Sequence, residues 1–363
     1  MPDFACALYL GMRHPSAALG SWDELTLGAP SALREPPGAR ALAVQLARLA
    51  GFEAATLLPS TLHLFRDLMA MLAAEPIVLL VDDACYPVAL WAAQSVAGAG
   101  TPLCLFPHGT ATGALRLARA AALAGRRPVL VADTCYPGAD QLPPLRAYAD
   151  IARATGGYLV LDDTQPFGVF GRAPRPAAPY GSGGGGSACR HGLHGPHVIV
   201  GASLAKGFGA PLAVLCASGA LVGRFEERSA ARAHSSPPSV AAIHAALAAL
   251  RLNRGQGEHL RTCLWQLVTL WRSALARRGI KARGGSFPVQ TLALAPHVDG
   301  ALLHRDLERA GVFAVPQRWR ARATVSFLIT ASHTDAEIER AVEVLARCLR
   351  RQGAFDNANV EAL

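Results

Sequence analysis

Only two of the 35 basic residues in this chain are lysines, Lys206 and Lys281; the rest are arginine. Arginine replaces lysine wherever positive charge is enough. It does not replace a nucleophilic amine, because guanidinium stays protonated, whereas a desolvated ammonium can titrate and attack a carbonyl. Lys206 sits in PHVIVGASLAKGFGAP, an apolar strand pattern leading into a loop of small residues. Lys281, in RRGIKARGG, reads as an exposed turn with no chemical role. Other apolar runs end in acids: Asp82 with Asp83, Asp133, and Asp162 with Asp163; a further run ends at His108. Cys189, His191, His194 and His197 have the short spacing of metal ligands. They lie in a glycine-rich stretch with nothing to orient them, so they are read as loop residues and no metal is assigned.

The elements that must position these groups alternate. GARALAVQLARLAG is amphipathic and ends at Gly51, and residues 61–72 form a second helical pattern. Short apolar runs follow: PIVLLVDD, TPLCLFPH, RPVLVADT, GYLVLDDT, PHVIVGAS and LAVLCASG, most of them separated by helical stretches. Such alternation predicts a mostly parallel, buried sheet in an α/β fold. The last third differs. Two helical patterns cover about residues 239–278, FPVQTLALA and ATVSFLIT read as strands, and TDAEIERAVEVLARCLRR reads as a closing helix with a Thr cap. The expected organisation is a large α/β domain over residues 35–255 and a small α+β domain made of residues 1–34 with 256–363. Residues 181–187, GSGGGGS, read as a flexible loop.

Composition narrows the function. The chain has 363 residues, 51% of them hydrophobic and 17% charged, which supplies ample core material. The net charge of +9 comes from scattered arginines, and aromatics make up 6%. A nucleic-acid reader clusters its basic residues or interleaves them with aromatics, so no nucleic-acid partner is expected. The eight cysteines show no CxxC and lie in apolar stretches, as reduced thiols of a cytoplasmic protein would. No apolar run reaches membrane-span length, and the first residues lack a leader pattern.

Ligands of parallel α/β sheets collect at the carboxyl ends of the strands. A lysine and an acid at neighbouring strand ends suit a pyridoxal ring: the lysine bonds it and the acid pairs with its pyridinium nitrogen. Over almost its whole length the chain resembles the fold-type I pyridoxal-phosphate enzymes, and within them the α-oxoamine synthase family. YLGMRHP resembles the family's N-Y-L-G-L-x-x-H-P, and LLPSTLHLF stands where the family has F-S-S-G-F-x-A-N. VDDACYP resembles D-x-L-N-H-A-S, YLVLDDTQPFGVFG resembles V-D-[DE]-x-H-x-x-G-x-x-G, and SLAKGFG resembles T-x-x-K-x-x-G. RAHSSPPSVAAI and TASHTDAEIERAV resemble the family's later segments.

The resemblance implies a large domain with a mostly parallel seven-stranded sheet, a small α+β domain and a homodimer. It implies pyridoxal 5'-phosphate as cofactor. Lys206 would be the Schiff-base residue and Asp162 the partner of the ring nitrogen. Tyr86 would stack on the ring and Gln165 would contact the cofactor. Ser60, Thr61, Leu62 and Ser203 would hold the phosphate, with His234 or Ser235 reaching the neighbouring subunit's phosphate. The implied reaction joins an amine or amino acid to an acyl thioester, carried by coenzyme A or an acyl carrier protein.

The departures matter as well. Tyr86 and Gln165 replace histidines, Leu8 replaces an asparagine and Pro137 replaces a serine. Ser326 stands where the family's carboxylate-binding arginine lies, with Arg318, Arg320 and Arg322 just upstream. An aromatic face still suits a pyridine ring. Glutamine donates a hydrogen bond but carries no proton, and a serine cannot clamp a carboxylate as arginine does. These losses leave aminotransferase, lyase or racemase chemistry on an unusual amine as the alternative. Asp162 and Lys206 are 44 residues apart, and the glycine run is expected to account for the extra length.

Overall fold

The computed structural model of the chain describes residues 2–319 and 322–353. It has two compact units. The larger contains Met12–Tyr136 and Leu142–Glu258; the smaller contains the residues up to Gly11, Pro137–Gln141 and the chain from His259 onward. Residues 12–34 thus lie with the larger unit and 137–141 with the smaller, unlike the contiguous block 35–255.

In the larger unit the order is α1 (Ala39–Ala50), β1 (Ala54–Leu58), α2 (Thr61–Ala73), β2 (Ile77–Asp82), α3 (Pro87–Gly98), β3 (Leu103–Phe106) and α4 (Ala111–Leu123). Then come β4 (Arg127–Asp133), α5 (Leu145–Ala154), β5 (Tyr158–Asp162), α6 (Gly186–His191), β6 (Val198–Ser203), β7 (Ala213–Ala217), α7 (Gly219–Arg228) and α8 (Ala230–His234). The strands form one sheet in the order β1-β7-β6-β5-β4-β2-β3. Strand β7 pairs antiparallel with both neighbours, and the other pairs are parallel. Each apolar run named above becomes a strand. They read as continuous runs because helices cover both faces: all six residues of β2 and all five of β7 are buried. Strand β1, in the less apolar AATLL, joins the edge of the sheet through β7.

One close approach positions a helix that matters below. A Cβ on Gly201 of β6 would lie 2.9 Å from Leu64 Cδ2 and 2.9 Å from Phe65 Cζ. The first turns of α2 therefore rest on bare backbone just before Ser203. Gly201→Ala is expected to push α2 off the sheet and to destabilise the protein by about 1–3 kcal/mol, the usual cost of overpacking, measurable by urea unfolding.

The glycine run is not slack. Residues 172–182 make a small hairpin bridged at Arg172–Ser182 and Arg175–Ala178, and its exposed tip carries the projecting residues. The glycines at its base pack backbone on backbone. A Cβ on Gly181 would sit 2.5 Å from Gly171 O, one on Gly185 2.2 Å from Leu49 O, and one on Gly186 1.9 Å from Asp163 Oδ2. Glycine is required there by close packing, so the expected flexible loop is corrected to a fixed one.

Helix α9 (Val240–Ala276) is a single element of 37 residues, correcting the expected pair of helices. The helix runs through Gly255 and Gly257. A glycine in a helix interior costs only about 1 kcal/mol against alanine, too little to interrupt a helix held by its flanks. The smaller unit adds β8 (Ala282–Arg283), β9 (Val289–Leu292), α10 (Gly300–Arg309), β10 (Val315–Trp319), β11 (Arg322–Leu328) and α11 (Asp335–Arg351). Its sheet is antiparallel, in the order β10-β11-β9-β8. Helix α11 begins at the expected Thr cap, Thr334, which forms a full capping box with Glu337.

Candidate active site

The sheet register brings the chemistry together. Asp133 and Asp162 are paired positions at the ends of β4 and β5, and Asp162 pairs with Gly201 on β6. Lys206 follows β6 by three residues, in a partly buried loop. Burial pushes its ammonium below the ordinary lysine range, while Asp162, Asp133 and Cys135 pull it back up. The amine therefore lies in a low-dielectric setting among acids, the environment that readies a lysine for nucleophilic work.

Asp162 is buried, and its Oδ1 accepts the Thr164 amide at 2.9 Å. Burial raises its carboxyl pKa, opposed by Thr164 and by Lys206. Thr164 continues the chain of contacts, since the Ser203 amide donates to its Oγ1 at 3.0 Å. Ser203 Oγ accepts from the Ala205 amide at 3.3 Å, and the loop turns toward Lys206. Asp163, pointing the other way, accepts from Thr134 Oγ1 at 2.5 Å and from the Ser187 amide at 2.9 Å. Burial holds its pKa up at about 7. Asp163 therefore anchors the base of the glycine segment rather than the open side of the site.

Ser60 caps α2, with its side chain accepting from the His63 amide, and His63 Nδ1 lies 2.8 Å from Ser60 Oγ. Thr61 and Leu62 occupy the first two helical positions, where the N–H groups have no intrahelical acceptor. This helix start is seated over Gly201, two residues before Ser203 on β6, and the first amides of a helix can accept an anion. Tyr86 is the cap residue of α3 and is 55% exposed, leaving its ring available. Its backbone amide donates to Asp133 Oδ2 at 3.0 Å. Gln165 follows Thr164 in the turn after β5 and is partly buried.

The other sequence candidates fall elsewhere. His234 is exposed at the end of α8 and Ser235 follows it; among the described residues no contact joins either to Lys206 or Asp162. Ser326 is fully buried in β11, 2.6 Å from Thr291 Oγ1, and donates to Gln317 Oε1 at 2.8 Å. Arg318 is exposed, Arg320 lies outside the described residues, and only the backbone of Arg322 is described. Cys189 accepts from Arg172 Nε at 3.2 Å. Among the described residues no group of three or more His, Cys, Asp or Glu side chains could hold a metal ion, and no helix is long and apolar enough to cross a membrane.

Sequence reasoning assigned Asp133 no role, yet it is the second acid of the site. Its Oδ1 accepts the Cys85 thiol at 3.4 Å. Burial and then the neighbouring Asp162 push its pKa up to about 8. The missed signal was its position, one strand over from Asp162 and also at a strand end. Asp82, with His108 Nδ1 at 2.9 Å, extends the acidic edge to β3. The raised pKa has a signed consequence. A carboxyl whose folded pKa exceeds its unfolded one binds more protons when folded, so stability falls as pH rises between about 4 and about 8. Asp133→Asn removes that loss. The cofactor-free variant is expected to lose less stability than the parent as pH rises from 5 to 8, read from denaturant midpoints across pH.

Residues 96–345 match the family described as aminotransferase class I and II. The chain is 28% identical over 239 residues to 8-amino-7-oxononanoate synthase of Halorhodospira halophila, covering 62% of this chain and 56% of that one. It is 29% identical over 242 residues to the enzyme of the same name from Stutzerimonas stutzeri, covering 64% and 58%. The matched region thus spans a little over half the length of these relatives. Among solved structures, serine palmitoyltransferase of S. paucimobilis, in a form carrying PLP, superposes with a TM-score of 0.82 at 15% identity, covering 97% of this chain and 88% of that one. An 8-amino-7-oxononanoate synthase from Francisella tularensis gives 0.72 at 15% identity, covering 97% and 99%. At that identity the likeness is one of fold, the fold-type I architecture with its mostly parallel seven-stranded sheet and small antiparallel sheet. The family match covers more than half of the chain and includes Lys206, Asp162 and the strands that carry them, so the chain belongs to the aminotransferase class I and II family.

Proposed function

We propose that this chain is a pyridoxal 5'-phosphate enzyme of the α-oxoamine synthase type, a transferase joining an amine or amino acid to an acyl thioester. The observation that carries this reading is Lys206, its amine pKa lowered by burial, beside Asp162 at neighbouring strand ends. The donor set fits the cofactor. Lys206 Nζ would bond it, and the Asp162 carboxylate would face the ring nitrogen. The Thr61 and Leu62 amides, with Ser60 and Ser203, would hold the phosphate, and the exposed Tyr86 ring would cover one face. When bound, the cofactor supplies an electron sink for negative charge developing on the substrate carbon.

The residues divide the remaining work. A deprotonated Lys206 Nζ accepts the proton lost from that carbon, a task its desolvation makes easier. Asp162, kept charged by a cationic partner, holds the proton on the ring nitrogen. Gln165 orients by hydrogen bonding and moves no proton. His234, exposed at the end of α8, or Ser235 just after it would serve a second copy's phosphate in a cytoplasmic homodimer. The scattered arginines suit coenzyme A or an acyl carrier protein as the thioester partner.

A second reading keeps the cofactor and changes the reaction to aminotransfer, elimination or racemisation on an unusual amine. Ser326 favours it. Held between Thr291 and Gln317 inside the sheet, Ser326 offers nothing to a substrate carboxylate. One experiment separates the two. Amines and amino acids are mixed with acyl-CoA, and free CoA is measured. Amine-dependent CoA release supports the synthase; a pyridoxamine form appearing without any thioester supports the alternative and rejects the synthase.

A further inference from the structure

The loop that carries Lys206 is closed on itself and tied at its edges. The Leu204 amide donates to Leu212 O at 2.9 Å, and the Ala210 amide donates to Leu204 O at 3.1 Å. Gly207 lies against the turn after β5, where a Cβ would come within 2.2 Å of Phe167 O. The Phe208 ring is fully buried and meets Phe167 edge-on, with centroids 5.6 Å apart. One tether arrives from far away in the sequence: His14 Nε2 lies 2.8 Å from the carbonyl oxygen of Phe208, across 194 residues. A carbonyl only accepts, so Nε2 carries the hydrogen and donates it.

We propose that His14 is a positioning residue for Lys206, holding the far side of the lysine loop by its bond to the Phe208 carbonyl. The proposal rests on the pyridoxal-phosphate reading for its purpose, though not for its geometry. Phe208 is only two residues past Lys206. Its ring and the Gly207 contact fix the loop against β5, and the His14 bond fixes the carbonyl on the other side. Without that bond the carbonyl of the Phe208–Gly209 peptide must find water as its donor, and the loop loosens where the lysine emerges. The groups that set the chemistry of Lys206 are Asp162, Asp133 and Cys135 together with the burial of the amine itself, and all depend on where the loop lies. A looser loop hydrates the ammonium and returns the amine toward ordinary lysine behaviour.

The chain suits a direct test, because Lys206 and Lys281 are its only lysines. Competitive labelling of the cofactor-free protein with trace acetic anhydride across pH reports the titration of Lys206, with the exposed Lys281 as internal reference. A second arm follows the rate at which added pyridoxal phosphate becomes fixed to the protein by borohydride. His14→Ala is expected to move the Lys206 midpoint upward and to slow capture by about fivefold, the scale of one lost hydrogen bond, with the melting temperature nearly unchanged. His14→Gln, whose amide can donate from a similar position, is expected to restore both. An unmoved midpoint in a folded His14→Ala protein would overturn the proposal. Equal impairment of the Ala and Gln variants would also overturn it, since the ring rather than the bond would then matter. If the parent protein captures no pyridoxal phosphate, the cofactor reading fails, and the labelling arm still decides the role of His14.

Discussion

Lys206→Ala is expected to abolish covalent capture of pyridoxal phosphate and to lower any cofactor-dependent turnover by roughly 10³-fold or more, because no other side chain near Asp162 can supply a nucleophilic amine. Arginine substitution is expected to be as damaging, since guanidinium keeps the charge and loses the chemistry. The fold should not suffer. Burial lowers the pKa of the Lys206 ammonium, so the charged amine costs stability at neutral pH. The sign follows. A lysine whose folded pKa lies below its unfolded value binds fewer protons when folded, and stability rises with pH between the two values. The cofactor-free alanine variant should therefore be at least as stable as the parent near pH 7, and the difference should shrink toward pH 10.5, the ordinary value. Differential scanning calorimetry checks the stability, and absorbance after cofactor addition checks the capture.

Asp162→Asn is expected to separate binding from chemistry. The amide keeps the shape and one acceptor for the Thr164 amide, so the turn after β5 should persist. It cannot hold a proton on a ring nitrogen, and turnover is expected to fall by about 10²–10³-fold, the scale of removing one preorganised electrostatic group. Capture by Lys206 should survive. Its pH midpoint should move down, because the carboxylate that favours the ammonium has gone. Asp133 should titrate lower in the same variant, since Asp162 is one of the charges that raises it. A variant that simply misfolded would show neither shift.

What could be read in the sequence, and what could not, divides along physical lines. The strands of the larger unit were legible because buried parallel strands are written as unbroken apolar runs. Lys206 was legible because a chain that prefers arginine kept it, and Asp162 because it ends such a run upstream. The partnership of Asp133 with Asp162 depends on register, which local pattern does not carry. The His14 contact with Phe208 joins residues 194 apart and leaves no local trace. The glycine segment was misread for a related reason. Composition cannot tell a glycine that moves from one that another backbone presses against, as at Gly185 and Gly186. Helix α9 is one element where two were expected; the helical cost of Gly255 and Gly257 is small beside the contacts of a helix this long. Ser326 looked like a vacant substrate position; in the sheet it is a buried residue held by Thr291 and Gln317.

Lys206 is the residue proposed to bond pyridoxal phosphate. The most direct measurement is peptide mass mapping after incubation with pyridoxal 5'-phosphate and reduction with borohydride. A reduced-cofactor mass is expected on the peptide containing Lys206 and none on the peptide containing Lys281. A protein that gains no covalent mass, or gains it only at Lys281, would show that Lys206 does not bond the cofactor.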